Sequence, residues 1–409
     1  MVKKLIFSGL ILTSLSTVAQ ESSTADAASF ELGSGLNFQF NESAYQFKLG
    51  GMVQPYIAFD KVEDADAEYF LNSKRTYFNF SGKALKEKVS FFIQTDFSLS
   101  SPLLDAWIAF HPTQSLNITF GQKQTIANNR EMMIMETMLQ FPDRSLLSTE
   151  FSNTGREFGL FIEQALSINE FTFIPQVAVT SGDGRNSFGA DSRDFDLGGL
   201  KYAARLDVYP LGMFSEGNSS MIADLAHETK PKVLIGAAAS FNDGASNSIG
   251  EGHGDFLLYN ALGRNQLPDY RQLYSDILVK YKGFSILGEY VISTATNLNG
   301  TFTDVSAVSE LATSQISEYL ALGSSFNVQV GYVTKSGYAA DFRYSAVSPE
   351  FERNVNSQIR DLSAMTLGLT RYIKDNDLKI QTAFSSITDN SGLQAVTTFR
   401  GELIVQLIF

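Results

Sequence analysis

From Tyr45 to the C-terminus, apolar and polar residues alternate with a period of two, the signature of extended chain with one wet and one oily face. In YQFKLGGMVQPYIAF, Tyr45, Phe47, Leu49, Val53, Ile57 and Phe59 share one face, against Gln46, Lys48 and Gln54. In KVSFFIQTDF, Val89, Phe91, Ile93, Thr95 and Phe97 oppose Lys88, Ser90, Gln94 and Asp96. EFTFIPQVAV and KYAARLDVY repeat the pattern. Sixteen strands are predicted: 45–60, 74–83, 88–98, 103–111, 115–124, 155–166, 170–181, 197–209, 231–242, 273–282, 283–293, 317–333, 338–347, 360–373, 378–388 and 396–409. A soluble sheet with this dyad would need a covering layer over its apolar face, and no helical segment supplies one.

The connections sort by parity. After odd strands most are long, as at 61–73, 125–154, 182–196, 243–272 and 294–316, while 99–102, 348–359 and 389–395 are shorter. After even strands they are short, as at 84–87, 112–114, 167–169 and 374–377, except for 210–230. An even strand number with turns on one side and long loops on the other predicts an all-β, transmembrane antiparallel barrel of about sixteen strands. Inside hydrocarbon every backbone N–H and C=O must find a partner, so the last strand must close on the first. The chain ends FRGELIVQLIF, and Phe409 is expected at that closure, in the aromatic girdle.

Composition sharpens this reading. Lys3 and Lys4, the apolar run Leu5–Leu15 and Thr17-Val18-Ala19 read as a signal peptide over residues 1–19, followed by an N-terminal periplasmic extension, 20–44, and the outer-membrane barrel, 45–409. Its removal takes the formal net charge from −13 to −15, two lysines fewer. The sequence has no cysteine, which excludes disulfides and thiolate chemistry, and 33 Phe and 16 Tyr against one Trp. His111, His227 and His253 are scattered, so no enzyme is expected, nor a cofactor or metal site; no basic stripe suggests nucleic acid.

One stretch resembles a known family. Lys74-Arg75, Gly82, Asp96-Phe97, Leu104-Asp105-Ala106-Trp107, Gly121-Gln122-Lys123, Arg144-Ser145 and Arg156-Glu157-Phe158-Gly159 follow the order seen in the phosphate-selective porin O and P family, densely over residues 45–166. The resemblance implies a trimeric channel for passive uptake of small, often anionic, solutes, narrowed by a third loop folded into the lumen. Two features depart from it: Gln124-Thr125-Ile126 stands where a Pro-Phe pair is common, and the chain is acidic. The partners implied are inorganic or organic solutes, the lipid bilayer with lipopolysaccharide, and the outer-membrane assembly machinery.

Candidate lumen residues follow from strand parity. Inward cations are Lys48, Arg75, Lys83, Lys88, Lys123, Lys201, Arg205, Lys280, Arg343, Lys379 and Arg400; inward acids are Asp96, Asp105, Glu157, Glu163, Asp207, Asp276, Glu289, Glu318, Asp341 and Glu402. The wall is nearly balanced, which leaves the excess acid to the loops. Loop 125–154 carries MMIMETML, whose methionines are expected against the wall while Arg130, Glu131 or Glu136 face the channel. Arg144 and Arg156 would then face Lys123 and Arg75 as a basic eyelet, the alternative being structural pairing with Asp143, Glu157 or Glu150. Lys88 completes the anion-binding candidates, and Lys48, Lys201, Arg205, Arg343 and Arg400 the lumen wall. Two other readings remain: an oligosaccharide channel with Tyr56, Tyr77, Phe92, Trp107 and Phe161 as a stacking track, and a structural or adhesin barrel with a blocked lumen.

Overall fold

The last strand pairs antiparallel with the first wall strand, Thr398 opposite Val62 through Ile408 opposite Met52, and this closes the sheet on itself. The structure is a computed structural model that describes residues 27–41, 43–63, 65–153, 155–182, 184–185, 198–249, 255–351 and 356–409. The expected signal peptide and residues 20–26 lie outside them. Sixteen strands form the wall: β3 (Tyr45–Val62), β4 (Glu68–Ala84), β5 (Val89–Asp96), β6 (Leu103–Phe110), β7 (Leu116–Gln124), β8 (Arg156–Gln164), β10 (Phe171–Thr180), β11 (Lys201–Tyr209), β12 (Lys232–Asn242), β13 (Asp269–Tyr281), β14 (Phe284–Thr296), β15 (Gly323–Val333), β16 (Tyr338–Pro349), β17 (Leu362–Lys374), β18 (Leu378–Asp389) and β19 (Val396–Ile408). Each pairs antiparallel with its sequence neighbour. Short β9 (Leu166–Ile168) continues the β8 edge against β10, and a hairpin, β1 (Ala27–Glu31) and β2 (Gly35–Phe40), continues the β3 edge beyond the point where β19 ends.

The molecule is apolar outside and polar within. Ile57, Phe78, Ile108, Leu367, Leu369 and Phe384 stand exposed on the outer face, whereas Gln94, Asp207, Gln272, Asp276, Glu289 and Gln381 are buried inside. Only a lipid surround makes that arrangement favourable, because water would face a continuous belt of exposed Leu, Ile, Val and Phe. Phe40, Phe47, Phe80 and Phe91 form a chain of ring contacts near the short-turn end, Phe80 meeting Phe91 edge-on at 5.0 Å, as expected of an interfacial girdle.

All sixteen predicted segments are strands, with shifted ends. Loop 61–73 shrinks to a tight connection because β3 and β4 run on as a ribbon to Val62 and Glu68. Residues 317–322 are not strand: Thr313–Glu318 is a 3-10 helix, so Glu318 belongs to an outer loop and not to the lumen wall.

At the seam, the Phe409 N–H donates to the Gly51 carbonyl at 3.0 Å and its carbonyl accepts from the Gly51 N–H at 2.6 Å. A Cβ on Gly51 would lie 2.6 Å from the Tyr77 carbonyl and 3.1 Å from the Phe409 ring. Gly51→Val is therefore expected to lower stability by about 1–3 kcal/mol through overpacking. Urea unfolding in detergent micelles measures this, and an unchanged midpoint would refute the closure argument.

Candidate functional site

The thirty-residue loop after β7 folds into the barrel. It holds α1 (Arg130–Met133), a 3-10 turn Glu136–Met138 and α2 (Leu146–Phe151), and almost every residue from Thr125 to Leu147 is buried or half-buried. Ser145 caps α2, accepting from the Ser148 N–H at 3.3 Å. The loop is stitched to the far wall by charge and amide. The Arg130 guanidinium meets Asp207 at 2.6 Å and Asp276 at 2.9 Å. Glu131 accepts from Ser145, Ser148 and, at 3.1 Å, Arg343. Gln140 donates to Ser285 and Asp341, and Lys379, Gln381 and Gln406 donate to loop carbonyls.

A second segment reaches in from the opposite end. The long connection 210–231, the exception to the parity rule, brings Phe214 and Ile222 against Ile134 and Leu139 of the inward loop and Leu234, Leu278 and Leu287 of the wall. The buried Lys280 ammonium donates to the carbonyls of Asn218, Met221 (2.7 Å) and Ala223 (3.1 Å). Loop and segment thus form one strut along the β11–β18 side. On the other side the loop borders a cavity lined from β4, β5, β6 and β8.

The narrowing there is built on two β-bulges. Gln54 pairs with Arg75 and Pro55 with Ser73, so Lys74 is the extra residue and turns inward beside Arg75. Gln94 pairs with Asp105 and Thr95 with Leu103, which turns both Leu104 and Asp105 inward. The result is a cavity of about 540 Å³ lined by Lys74, Arg75, Arg144, Arg156 and Arg185, with Asp96, Glu136 and Asp143 as its carboxylates. Arg156 pairs with Asp105 at 2.8 Å, donates to Gln94 at 3.1 Å and lies 3.8 Å from Glu136. Arg144 pairs with Glu136 at 2.7 Å and donates to the Ile134 carbonyl. Lys74 bridges Asp143, at 2.5 Å, and Glu402. Arg75 differs: its hydrogen bonds go to neutral acceptors, Gln54 Oε1 at 2.9 Å and the Pro142 carbonyl at 3.3 Å.

Burial by itself would raise the Glu136 carboxyl; Arg144, Arg156 and Arg75 overcome it and hold the group well below the usual range. A depressed acid keeps its charge, and the stability linked to it, above the ordinary value near about 4.3, and loses both only as pH falls through its lower folded value. Glu136 itself is therefore expected to stay charged from neutral pH down to about 4.3. The difference in reversal potential between the wild type and Glu136→Gln is expected to be flat over this window; a step in that difference centred on the ordinary carboxylate value would contradict it.

The structure divides the sequence candidates. Arg75, Arg144 and Arg156 gather at the narrowing, joined by Lys74, which strict alternation had turned outward. The carboxylates pairing with Arg144 and Arg156 are Glu136 and Asp105, not Asp143, Glu157 or Glu150. Lys123 does not join them; its ammonium sits 5.2 Å above the Phe161 ring. Arg130 is not offered to the channel but buried as an anchor, and so is Glu131. Lys201, Arg205 and Arg343 are not water-facing wall charges: Lys201 pairs with Glu157 at 2.6 Å, Arg205 with Asp207 and Asp276, and Arg343 with Glu131. Arg400 is half-buried between Asp60 and Asp143, each at 3.3 Å. Lys88 lies at the short-turn rim with Lys83 and Lys86, in a separate recess of about 670 Å³, and Lys48 is exposed opposite Ser81 and Asn37. In that rim recess Ser90 Oγ lies 2.8 Å from His111 Nε2, a contact the scattered histidines did not suggest; its carboxylate, Glu87, is taken up by Lys83 at 3.1 Å. Of the aromatic track, Tyr77 and Phe161 are buried, and Phe92 and Trp107 pack on each other at 5.9 Å.

No protein-family model matches the chain, and no curated protein matches it. Solved structures do. The outer-membrane channel DcaP of Acinetobacter baumannii superposes with a TM-score of 0.54 at 10% identity, over 91% of this chain and 99% of that one. OprB of Pseudomonas putida gives 0.54 at 10% identity, over 89% and 94%. The fold is a sixteen-stranded outer-membrane barrel. Such identity carries the fold alone; the membrane setting rests on the apolar belt, and the solute on the aperture itself.

Proposed function

We propose that this barrel is a passive diffusion channel for small hydrophilic solutes with a preference for anions, phosphate among them. The observation that carries the reading is the aperture: an inward loop faces a wall where Lys74, Arg75, Arg144, Arg156 and Arg185 meet Asp96, Asp105, Glu136, Asp143 and Glu402, and where Arg75, among the described residues, has only neutral hydrogen-bond partners. Fixed charge at a constriction selects ions because water there is too sparse to screen it. The family resemblance supports the same reading, since several of its scattered motifs converge. Lys74-Arg75, Asp96, Asp105, Arg144-Ser145 and Arg156 are far apart in sequence, yet all touch the cavity or the loop that bounds it. Asp96 accepts from the Thr76 N–H at 2.9 Å and the Ser98 N–H at 3.0 Å, which fixes the wall behind Arg75. Assembly as a homotrimer belongs to the same proposal.

Planar-bilayer recording of the purified protein under a salt gradient tests it. An anion-selective reversal potential, together with liposome swelling in small neutral solutes, is the expected result. Cation selectivity would remove the anion preference, and absence of conductance would favour a barrel with a blocked lumen.

A further inference from the structure

Away from the lumen, two concavities meet at the short-turn end of the wall strands β15, β16 and β17. One is an apolar groove of about 440 Å³ on the outer, lipid-facing surface, floored by Ala340, Leu369 and Ile380. The other is a recess of about 1000 Å³ just beyond the strand ends, where Lys282, Lys335, Arg371 and Lys374 face one carboxylate, Asp375, with His227 at its edge. Tyr332, Thr334 and Arg371 line both, so the two form one continuous surface. Arg371 lies with its guanidinium 4.4 Å over the Tyr338 ring and donates to the carbonyls of Ser336 and Tyr372 (3.0 Å), which fixes it at the junction. Lys374 is partly engaged by the Leu32 carbonyl at 2.8 Å and by Asp377 at 3.6 Å; Lys282 and Lys335 are exposed.

We propose that this surface is a seat for an anionic phospholipid of the inner leaflet, its phosphate against Arg371, Lys335 and Lys282 and an acyl chain in the groove over Ala340. The short-turn end faces the periplasm in such barrels, which puts the recess at headgroup depth and the groove at acyl depth. Tyr332, its ring tilted against Phe284 with centroids 4.4 Å apart, and Tyr338 mark the interface between them. Basic residues at this depth attract anionic headgroups. A small side chain at residue 340, between Tyr332 and Leu369 of the flanking strands, is what leaves the groove open. The proposal rests on the membrane embedding of the wall and not on what passes through the lumen.

The test is native mass spectrometry of the detergent-solubilised protein titrated with dioleoyl-phosphatidylglycerol, dioleoyl-phosphatidylcholine or inorganic phosphate. One phosphatidylglycerol per protomer should remain bound where phosphatidylcholine does not. Arg371→Ala with Lys335→Ala should weaken that binding at least about tenfold. Ala340→Trp, which fills the groove and leaves every charge in place, should weaken it too, and excess phosphate should not displace the lipid. Equal retention of phosphatidylcholine, or unchanged retention in both variants, overturns the proposal. Displacement by phosphate with Ala340→Trp neutral would make the recess a free-oxyanion station instead and overturn it equally.

Discussion

Arg75→Ala is expected to lower the anion-to-cation permeability ratio by on the order of five-fold, the effect of removing one unit charge at close range in a water-lined space. Arg75 is singled out because its neighbours at the aperture are already compensated: Arg144 by Glu136, Arg156 by Asp105, and Lys74 by Asp143 and Glu402. Its own hydrogen bonds end on an amide oxygen and a backbone carbonyl, so its field reaches the solute. The mirror experiment is Glu136→Gln, which keeps the shape but frees Arg144 and Arg156 and should shift the ratio the other way. Reversal potentials of the two variants in opposite directions support the aperture as the selectivity element. If neither moves, the aperture does not set selectivity.

Arg130→Ala is the second large effect. The substitution leaves Asp207 and Asp276 buried with Arg205 as their remaining cation, and breaking a buried ion pair from one side costs about 3–5 kcal/mol. Most of that loss should appear as release of the inward loop, because the wall strands keep their ladders while the loop loses its anchor to β11 and β13. Larger and noisier single-channel currents, with new protease cleavage between β7 and β8, are expected. A variant with ordinary currents and a protected loop would show that Glu131, Gln140 and the 210–231 strut suffice.

Much of the fold was legible because a barrel strand must alternate between lipid and lumen, and alternation is written directly in the residues. The charges were less legible for the same reason turned round: parity assigns a side, not an environment. Lys201, Arg205 and Arg343 do lie inside, yet they meet carboxylates and a packed loop where the pattern suggested water. Lys74 was missing from the inward set because one extra residue on β4 reverses the alternation, and a bulge leaves no mark that periodicity can read. The exceptional length of 210–230 was the one visible sign of the strut, but length does not say which way a connection folds.

Residue order was enough for the wall: strand number, which residues meet lipid, the side carrying the long loops, and closure at Phe409. These depend on backbone pairing and local periodicity, which repeat every two residues. The tertiary structure alone decided which cations remain open to a solute. That follows from two bulges, an inward loop and a strut that bring distant residues within 3–4 Å, where each charge is either paired or left to act.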